Sequence, residues 1–384
     1  MRWLLAALLF LALPAQAQTQ GVSDDEVVLG THLDLSGPLR TWGRAAANGM
    51  RLAVDRINAE GGIHGRDLRL VIEDNQFDTK RAVQATEKLI GDDEVFALVG
   101  QMGTAGVMAA LPLVLERGLP HLFPMTAAVQ AYEPFDRLKF ARFAPYVVQA
   151  GTVVADAIRD DTERPVCILG RDDEFGQNIQ RGAEQAMADA ERELTAVKAY
   201  QRGTKAFGAD LGRLREAECG LVLLGATVSE AAAILKAADA MGWTVAMVGT
   251  SATYAPELLA LAGPAAAGFR AVDQIPIPDP EDETAAAWLA AYKAKFEREG
   301  DARAAAGYDA VMLAAAGLRQ AGRALSVDSF VAGLESLRDW QPPLGGPAVG
   351  FGPARRLASA EMFLAEVADG RWRIVRSGLS YGDP

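Results

Sequence analysis

Val95-Phe96-Ala97-Leu98-Val99-Gly100-Gln101-Met102-Gly103-Thr104 is an apolar run that stops at two glycines, after which a hydroxyl residue opens an Ala/Val/Met/Leu-rich segment. This order reads as a buried parallel strand, a tight turn and a helix N-terminus. Such a junction exposes several backbone N–H groups and the positive end of the helix dipole, which suits a small anion. The glycines let a guest approach the main chain with no Cβ in the way. With a second turn at Phe123-Pro124-Met125-Thr126, the stretch is expected to hold the acidic end of a small solute. No residue placed to do chemistry on that solute accompanies it.

Outward from this stretch, strands and helices alternate. Val27–Leu33 is a β-rich run, Ser36-Gly37-Pro38 a turn, and a helix follows to about Asn58 with Ala46, Met50, Ala53 and Ile57 on one face. Leu68–Ile72 reads as a strand, and Asp78 can cap a helix carrying Ala82, Ala85 and Leu89. That alternation predicts right-handed βαβ units and a parallel sheet. The pattern restarts with strands at Val166–Leu169, Thr195–Tyr200, Gly220–Leu224 and Thr244–Val248, with helices near Phe175–Ala190, Phe207–Glu216 and Val228–Met241 between them. Ile275-Pro276-Ile277-Pro278-Asp279-Pro280 is stiff and extended, and Asp279-Pro280 reads as a cap and first helical residue. The helix after it puts Trp288, Tyr292 and Phe296 on a core face and ends at Gly300. Further helices carry Tyr308, Val311, Ala315 and Leu318 and run near Val327–Leu337, before short strands at Met362–Val367 and Trp372–Val375.

The 384-residue chain begins Met1-Arg2-Trp3, runs apolar from Leu4 to Leu13 and continues Pro14-Ala15-Gln16-Ala17. Residues 1–17 read as a secretory signal peptide, and Gln18 as the mature start. The apolar run is too short for a bilayer span, which needs about 20 residues. No later apolar run is long enough to span a membrane, and residue 18 is not a cysteine, so a soluble protein exported to the periplasm is expected. The remaining 384 − 17 = 367 residues suggest two domains. A net charge of −12, or −13 without Arg2, argues against nucleic acid and anionic membrane as partners. Cys167 and Cys219 each flank or enter an apolar run; buried thiols in neighbouring strands are the favoured reading, with a bridge left open by the export compartment.

No cofactor or metal is expected. Gly100-x-x-Gly103-x-x-Gly106 lacks the G-x-G-x-x-G spacing, and no phosphate-binding G-x-x-x-x-G-K-[ST] occurs. His32, His64 and His121 are far apart and out of metal-ligand spacing, and His121 is read as structural. Ser251 in Gly249-Thr250-Ser251-Ala252-Thr253 lacks the second glycine of a nucleophile elbow. Arg171-Asp172-Asp173-Glu174 reads as a solvated charge run whose acids favour the following helix N-terminus. An enzyme is therefore not expected.

Leu35-Ser36-Gly37-Pro38, Ala53-Val54-Asp55-Arg56-Ile57-Asn58-Ala59-Glu60-Gly61-Gly62-Ile63-His64-Gly65, Val99 to Thr104, Phe123 to Ala127 and Asp173-Glu174-Phe175-Gly176 stand in the order of a known family. The chain resembles the solute-binding proteins of branched-chain amino acid ABC transporters. That resemblance implies a type I periplasmic-binding fold, in which two doubly wound α/β lobes joined by three hinge crossovers close on ligand. Lobe one would be 24–145 plus 276–350, and lobe two 146–275 plus 351–376. It also implies transporter permease subunits as partners; a periplasmic sensor on the same fold is the alternative.

In that family the ligand carboxylate sits on the two turns, at positions that fall here on Thr104, Met125 and Ala127; Gly103 is a further ligand-binding candidate, and Met102 and Met125 are expected to flank the ligand's body. Aromatic wall positions fall on Trp42 and Phe175, with Tyr146 near the hinge. The family's acidic partners of the ligand ammonium fall on Val147 and Ser251, neither of them charged, with Glu230 or Asp273 as substitutes. An ammonium desolvated without a counter-charge costs several kcal/mol. A carboxylate with an apolar or aromatic body is therefore expected rather than a simple α-amino acid.

Overall fold

The computed structural model describes residues 19–159 and 161–382; the expected signal peptide at 1–17 lies outside them. The first elements are β1 (Glu26–Leu33), α1 (Arg40–Ala59), β2 (Asp67–Asp74), α2 (Thr79–Gly91), β3 (Ala97–Val99), α3 (Thr104–Glu116), β4 (His121–Leu122) and β5 (Lys139–Phe140). Then follow α4 (Tyr146–Arg159), β6 (Val166–Arg171), α5 (Glu174–Asp189), β7 (Ala196–Tyr200), α6 (Gly208–Glu216), β8 (Leu221–Gly225), α7 (Val228–Ala240), β9 (Ala246–Gly249), α8 (Pro256–Ala262) and β10 (Arg270–Asp273). The chain finishes with α9 (Glu283–Phe296), α10 (Ala302–Ala321), α11 (Val327–Glu335), β11 (Met362–Ala368) and β12 (Arg371–Leu379).

Two sheets result. The first is parallel throughout, in the order β2-β1-β3-β4-β5. The second runs β12-β11-β10-β9-β8-β6-β7, parallel except where β11 pairs antiparallel with β10 and β12. Side chains of β1 alternate between two cores, as a strand covered on both faces must. Val27, Leu29 and Leu33 join α1, α9, α10 and α11. Val28 faces the other way, onto Leu89 and Ile90 of α2 and Val114 of α3. The helices α1 and α10 touch backbone to backbone. A Cβ at Gly49 would stand 1.9 Å from Ala304 O, and one at Gly307 2.1 Å from Ala46 O.

The chain passes between the sheets after β5, after β10 and before β11, and the three passages lie together. Ala141 pairs with Leu357 in an isolated parallel bridge. Gln274 is buried between them: its Oε1 accepts from Ala144 N at 2.5 Å, and its Nε2 donates to Ser359 O at 2.9 Å and Glu361 O at 2.8 Å. Nearby, Arg142 Nε donates to Asp309 Oδ2 at 2.7 Å, with both side chains almost wholly buried.

Three local expectations need correction. The helix after the Pro-rich segment starts at Glu283, not Pro280. Asp282 is its cap, accepting from Ala285 N at 2.8 Å, while Asp279 turns its own side chain to Glu281 N at 2.9 Å. That helix ends at Phe296, because Glu297 takes a left-handed conformation with φ 54°, well before Gly300. Cys167 and Cys219 form a disulfide with Cα atoms 5.8 Å apart, instead of two thiols. Cys167 lies in β6, and Cys219 enters β8, its parallel neighbour.

The bridge closes a loop of 52 residues inside the second core. In the chain-entropy account a loop of that length is worth up to about 4 kcal/mol. Calorimetry of the Cys167→Ala/Cys219→Ala double variant should show a loss approaching that size; an unchanged melting temperature would show that the bridge adds nothing to stability.

Candidate functional site

A cavity of about 240 Å³ opens at the carboxyl ends of β1 to β4, facing the corresponding ends of β6 to β9. This is where open parallel sheets bind ligands. All nine sequence candidates line it: Trp42, Met102, Gly103, Thr104, Met125, Ala127, Tyr146, Phe175 and Ser251.

The β3–α3 junction forms as expected. Gly103 is the cap of α3 with φ 99°, and no side chain caps this terminus. The first helical N–H groups, those of Thr104 to Gly106, have no intrahelical acceptor by construction. No acidic residue occupies the first turn either. A Cβ at Gly103 would stand 3.1 Å from the Phe77 ring, so glycine answers both the φ and the space. The two turns are joined. Met102 and Met125 form an isolated parallel bridge, and Met125 N donates to Gln101 O at 2.7 Å. The hydroxyls of Thr104 and Thr126 lie 2.8 Å apart, and Thr126 Oγ1 also accepts from Ala128 N at 3.2 Å. Gln76, Phe77 and Phe123 all take positive φ of 50° to 56° at these strand ends. Such conformations cost energy in side chains of this size and cluster where a site must be shaped.

Apolar walls complete the cavity. Tyr146 meets Phe175 edge to face at 4.9 Å, and burial pushes its phenol up to about 12, so it remains a neutral donor. Ser251 N donates to Gln149 Oε1 at 2.9 Å.

Charge is where sequence reasoning fell short. Arg171, Arg202 and Arg303 all line the cavity, together with Phe77, Phe143 and Asn75. The Arg171–Glu174 run is thus not simply a solvated loop: Arg171, Asp173 and Glu174 face the cavity, and the Arg171 guanidinium lies 5.0 Å over Phe175. Arg202 lies 4.7 Å over the Phe77 ring and Arg303 4.0 Å over Trp42. Only the Arg171 cue was local, in its apolar-run-then-charge pattern. Arg303 arrives through the packing of α10 on α1, which no local pattern announces.

The carboxylates at the cavity are all engaged. Asp78 Oδ1 accepts from Arg81 N at 2.9 Å, capping α2. Asp173 binds Gly176 N at 3.2 Å and Arg171 Nε at 2.9 Å. Glu174 Oε1 accepts from Gln130 Nε2 at 2.8 Å. The two substitutes named for an ammonium partner do not line the cavity. Glu230 closes a capping box with Thr227 and accepts from Tyr200 Oη at 3.3 Å. Asp273 is buried at the end of β10, where desolvation pushes its carboxyl up to about 6 while Arg303 and the amides of Ile275 and Gln274 draw it down. Val147 is also outside the cavity, with its carbonyl against Gly182 of α5.

A sequence profile described as "Periplasmic binding protein" matches residues 26–371. The chain belongs to the periplasmic binding protein family. It is a family of binding proteins, not of enzymes. A leucine-, isoleucine-, valine-, threonine- and alanine-binding protein of Pseudomonas aeruginosa is 26% identical over 293 residues, 76% of this chain and 77% of that one. Two solved structures share the fold. A branched-chain amino acid ABC transporter protein of Thermus thermophilus with bound valine superposes with TM-score 0.84 at 17% identity, covering 94% of this chain and 98% of that chain. A fatty acid ABC transporter substrate-binding protein of Thermomonospora curvata gives 0.82 at 18% identity, covering 95% and 94%. Among the described residues no helix is long and apolar enough to cross a membrane, and no group of three His, Cys, Asp or Glu side chains could hold a metal ion.

Beneath the cavity lie two neutral histidines, neither lining it. Asn75 Nδ2 stands 2.9 Å from His32 Nδ1 and donates to Met102 O at 3.0 Å, which ties the imidazole to the turn. Burial depresses His32 to about 4, and burial followed by the fields of His32 and Lys139 depresses His121 to about 3. The unfolded chain takes up both protons near 6.5 and the folded chain does not. Stability is therefore full above about pH 6.5 and falls as pH drops toward 4. Thermal melts across that window should show the fall, and His121→Asn should flatten it; a parallel fall in the variant would acquit His121.

Proposed function

We propose that the protein is the periplasmic solute-binding component of an ABC importer, exported by a signal peptide at 1–17, and that it delivers its solute to permease subunits. The solute is a small carboxylate with an apolar or aromatic body, for which an α-amino group is not needed. It lies between lobes of 24–145 plus 276–350 and 146–275 plus 351–376. Phe351 and Ala358 pack in the first core and β12 runs to Leu379, so we put the third crossing nearer 359–361.

The observation that carries the reading is the uncapped α3 N-terminus opening on the cavity. Its amides and dipole receive the carboxylate. Thr104 and Thr126 hold the two turns together, and Trp42, Met102, Met125 and Phe175 surround the body. Each cavity carboxylate already has a protein partner, Arg171 for Asp173, the Arg81 amide for Asp78 and Gln130 for Glu174, so an ammonium would have to compete for its counter-charge. The names of the relatives support the solute class in its broader form: amino acids in one case, a fatty acid in another, each an acid with an apolar body. Closure of two lobes gains contacts from both sides.

Titration calorimetry decides. 4-Methylpentanoate or 3-phenylpropanoate should bind in the micromolar range and leucine at least about tenfold more weakly, since an unpaired ammonium costs several kcal/mol. Trp42→Ala and Thr104→Val should each lower affinity about tenfold or more with the fold intact. Tight leucine binding with no response to the deaminated acids would overturn the solute assignment.

A further inference from the structure

Arg303 follows the first residue of α10 and reaches across the cavity to the other sheet's loops. Its Nη2 donates to Ser251 O at 2.8 Å and Tyr254 O at 3.1 Å, while the guanidinium rests on Trp42. Its Nη1 makes no hydrogen bond among the described residues, although Arg303 lines the cavity. No carboxylate pairs with it among the described residues. Asp273, a buried acid in its field, gives Oδ1 to the amides of Gln274 at 2.6 Å and Ile275 at 3.1 Å and leaves Oδ2 without a hydrogen bond. Asp301 Oδ1 accepts from the Arg303 and Ala304 amides instead, at 3.0 Å and 2.8 Å. A guanidinium that lines a cavity with no carboxylate beside it has an anionic oxygen as its natural complement.

The alternation of β1 fixes where this donor stands relative to the amide cradle. The helices α2 and α3 cover one face of the first sheet, and α1 and α10 cover the other. The α3 N-terminus and Arg303 therefore meet the cavity from opposite sides. Arg202, stacked on Phe77 beside Gly103, adds positive charge at the cradle end. Between the two poles the walls are apolar: Met125, Phe143 and Phe175. A cavity of about 240 Å³ leaves room for a benzene ring with two carboxylates or a medium aliphatic chain.

Resting on the solute-binding reading above, we infer that the guest is a dicarboxylate with an apolar or aromatic spine, one carboxylate on the α3 amides and the other on Arg303. The polar contacts that Arg303 already makes orient it; the second carboxylate supplies the acceptor its Nη1 lacks. A monoacid would leave that donor unmatched, and an ammonium at the same end would be repelled.

The test compares matched acids on the mature protein by calorimetry: terephthalate against p-toluate, and octanedioate against octanoate. Each diacid should bind about tenfold or more tightly than its monoacid, the worth of a charge-assisted hydrogen bond in a partly dry site. Arg303→Gln should bring each diacid down to the level of its monoacid, and Arg303→Lys should keep part of the preference. Arg303 also holds the Ser251 and Tyr254 carbonyls, so a loosened wall lowers both acids together; the ratio is what reads the second carboxylate. If Arg303→Gln does not fold, the wild-type pairs still decide. Monoacids binding as tightly as their diacids, or a ratio unchanged in Arg303→Gln, would overturn the dicarboxylate while leaving the solute-binding reading in place. Failure of both acid classes at millimolar concentration would bring down that reading and this one together.

Discussion

Three passages of the chain between two sheets have to stay side by side, and one buried amide touches all three. Gln274 takes a hydrogen bond from the first passage and gives two to the third, while its own backbone forms the second. An amide suits the task because it has both an acceptor and two donors. Without it Ala144 N and Ser359 O would be buried unsatisfied, at about 1–3 kcal/mol apiece. The neighbouring Arg142–Asp309 pair is a different device. A buried ion pair contributes little net stability, because desolvation offsets attraction. It does tie the first passage to α10, and so sets where that helix begins relative to the three passages.

That placement matters because the cavity is assembled from loop tips, not from any one element. The tips after β2, β3 and β4 carry Phe77, Gly103 and Phe123 in left-handed conformations, each held by packing or by a bond to a neighbouring tip. Strain of this sort persists only where surroundings over-determine it. Here the paired turns at Met102 and Met125 and the Thr104–Thr126 contact provide that support. The positive pole of α3 is thus fixed in direction before any guest arrives, which limits the ordering cost of binding.

Much of this was legible along the chain. An apolar run ended by Gly100 and Gly103 and followed by Thr104 has few readings other than strand, turn and helix start, and α3 begins where that pattern says. The cap at Asp78 was legible for the same reason: a side-chain acceptor three residues ahead of a free N–H. Asp279-Pro280 misled because two acids stand three residues apart and only tertiary packing chooses Asp282. The disulfide was undecidable because cysteine spacing says nothing about which strands become neighbours. Arg303 was invisible because its partners, Ser251 and Tyr254, lie about fifty residues away in a different sheet's loops. Glu230 was misjudged in the opposite sense, as a free charge, when its carboxylate completes a capping box.

Trp42 packs against both large cores at once, on the helix that opens the first sheet's carboxyl edge. Its indole is also covered by the Arg303 guanidinium. Any parting of the halves must strip one of these covers and let water reach the ring, which shifts indole emission toward the red. Were the halves to part, the chain would carry its own optical gauge of the opening, without a dye or a label.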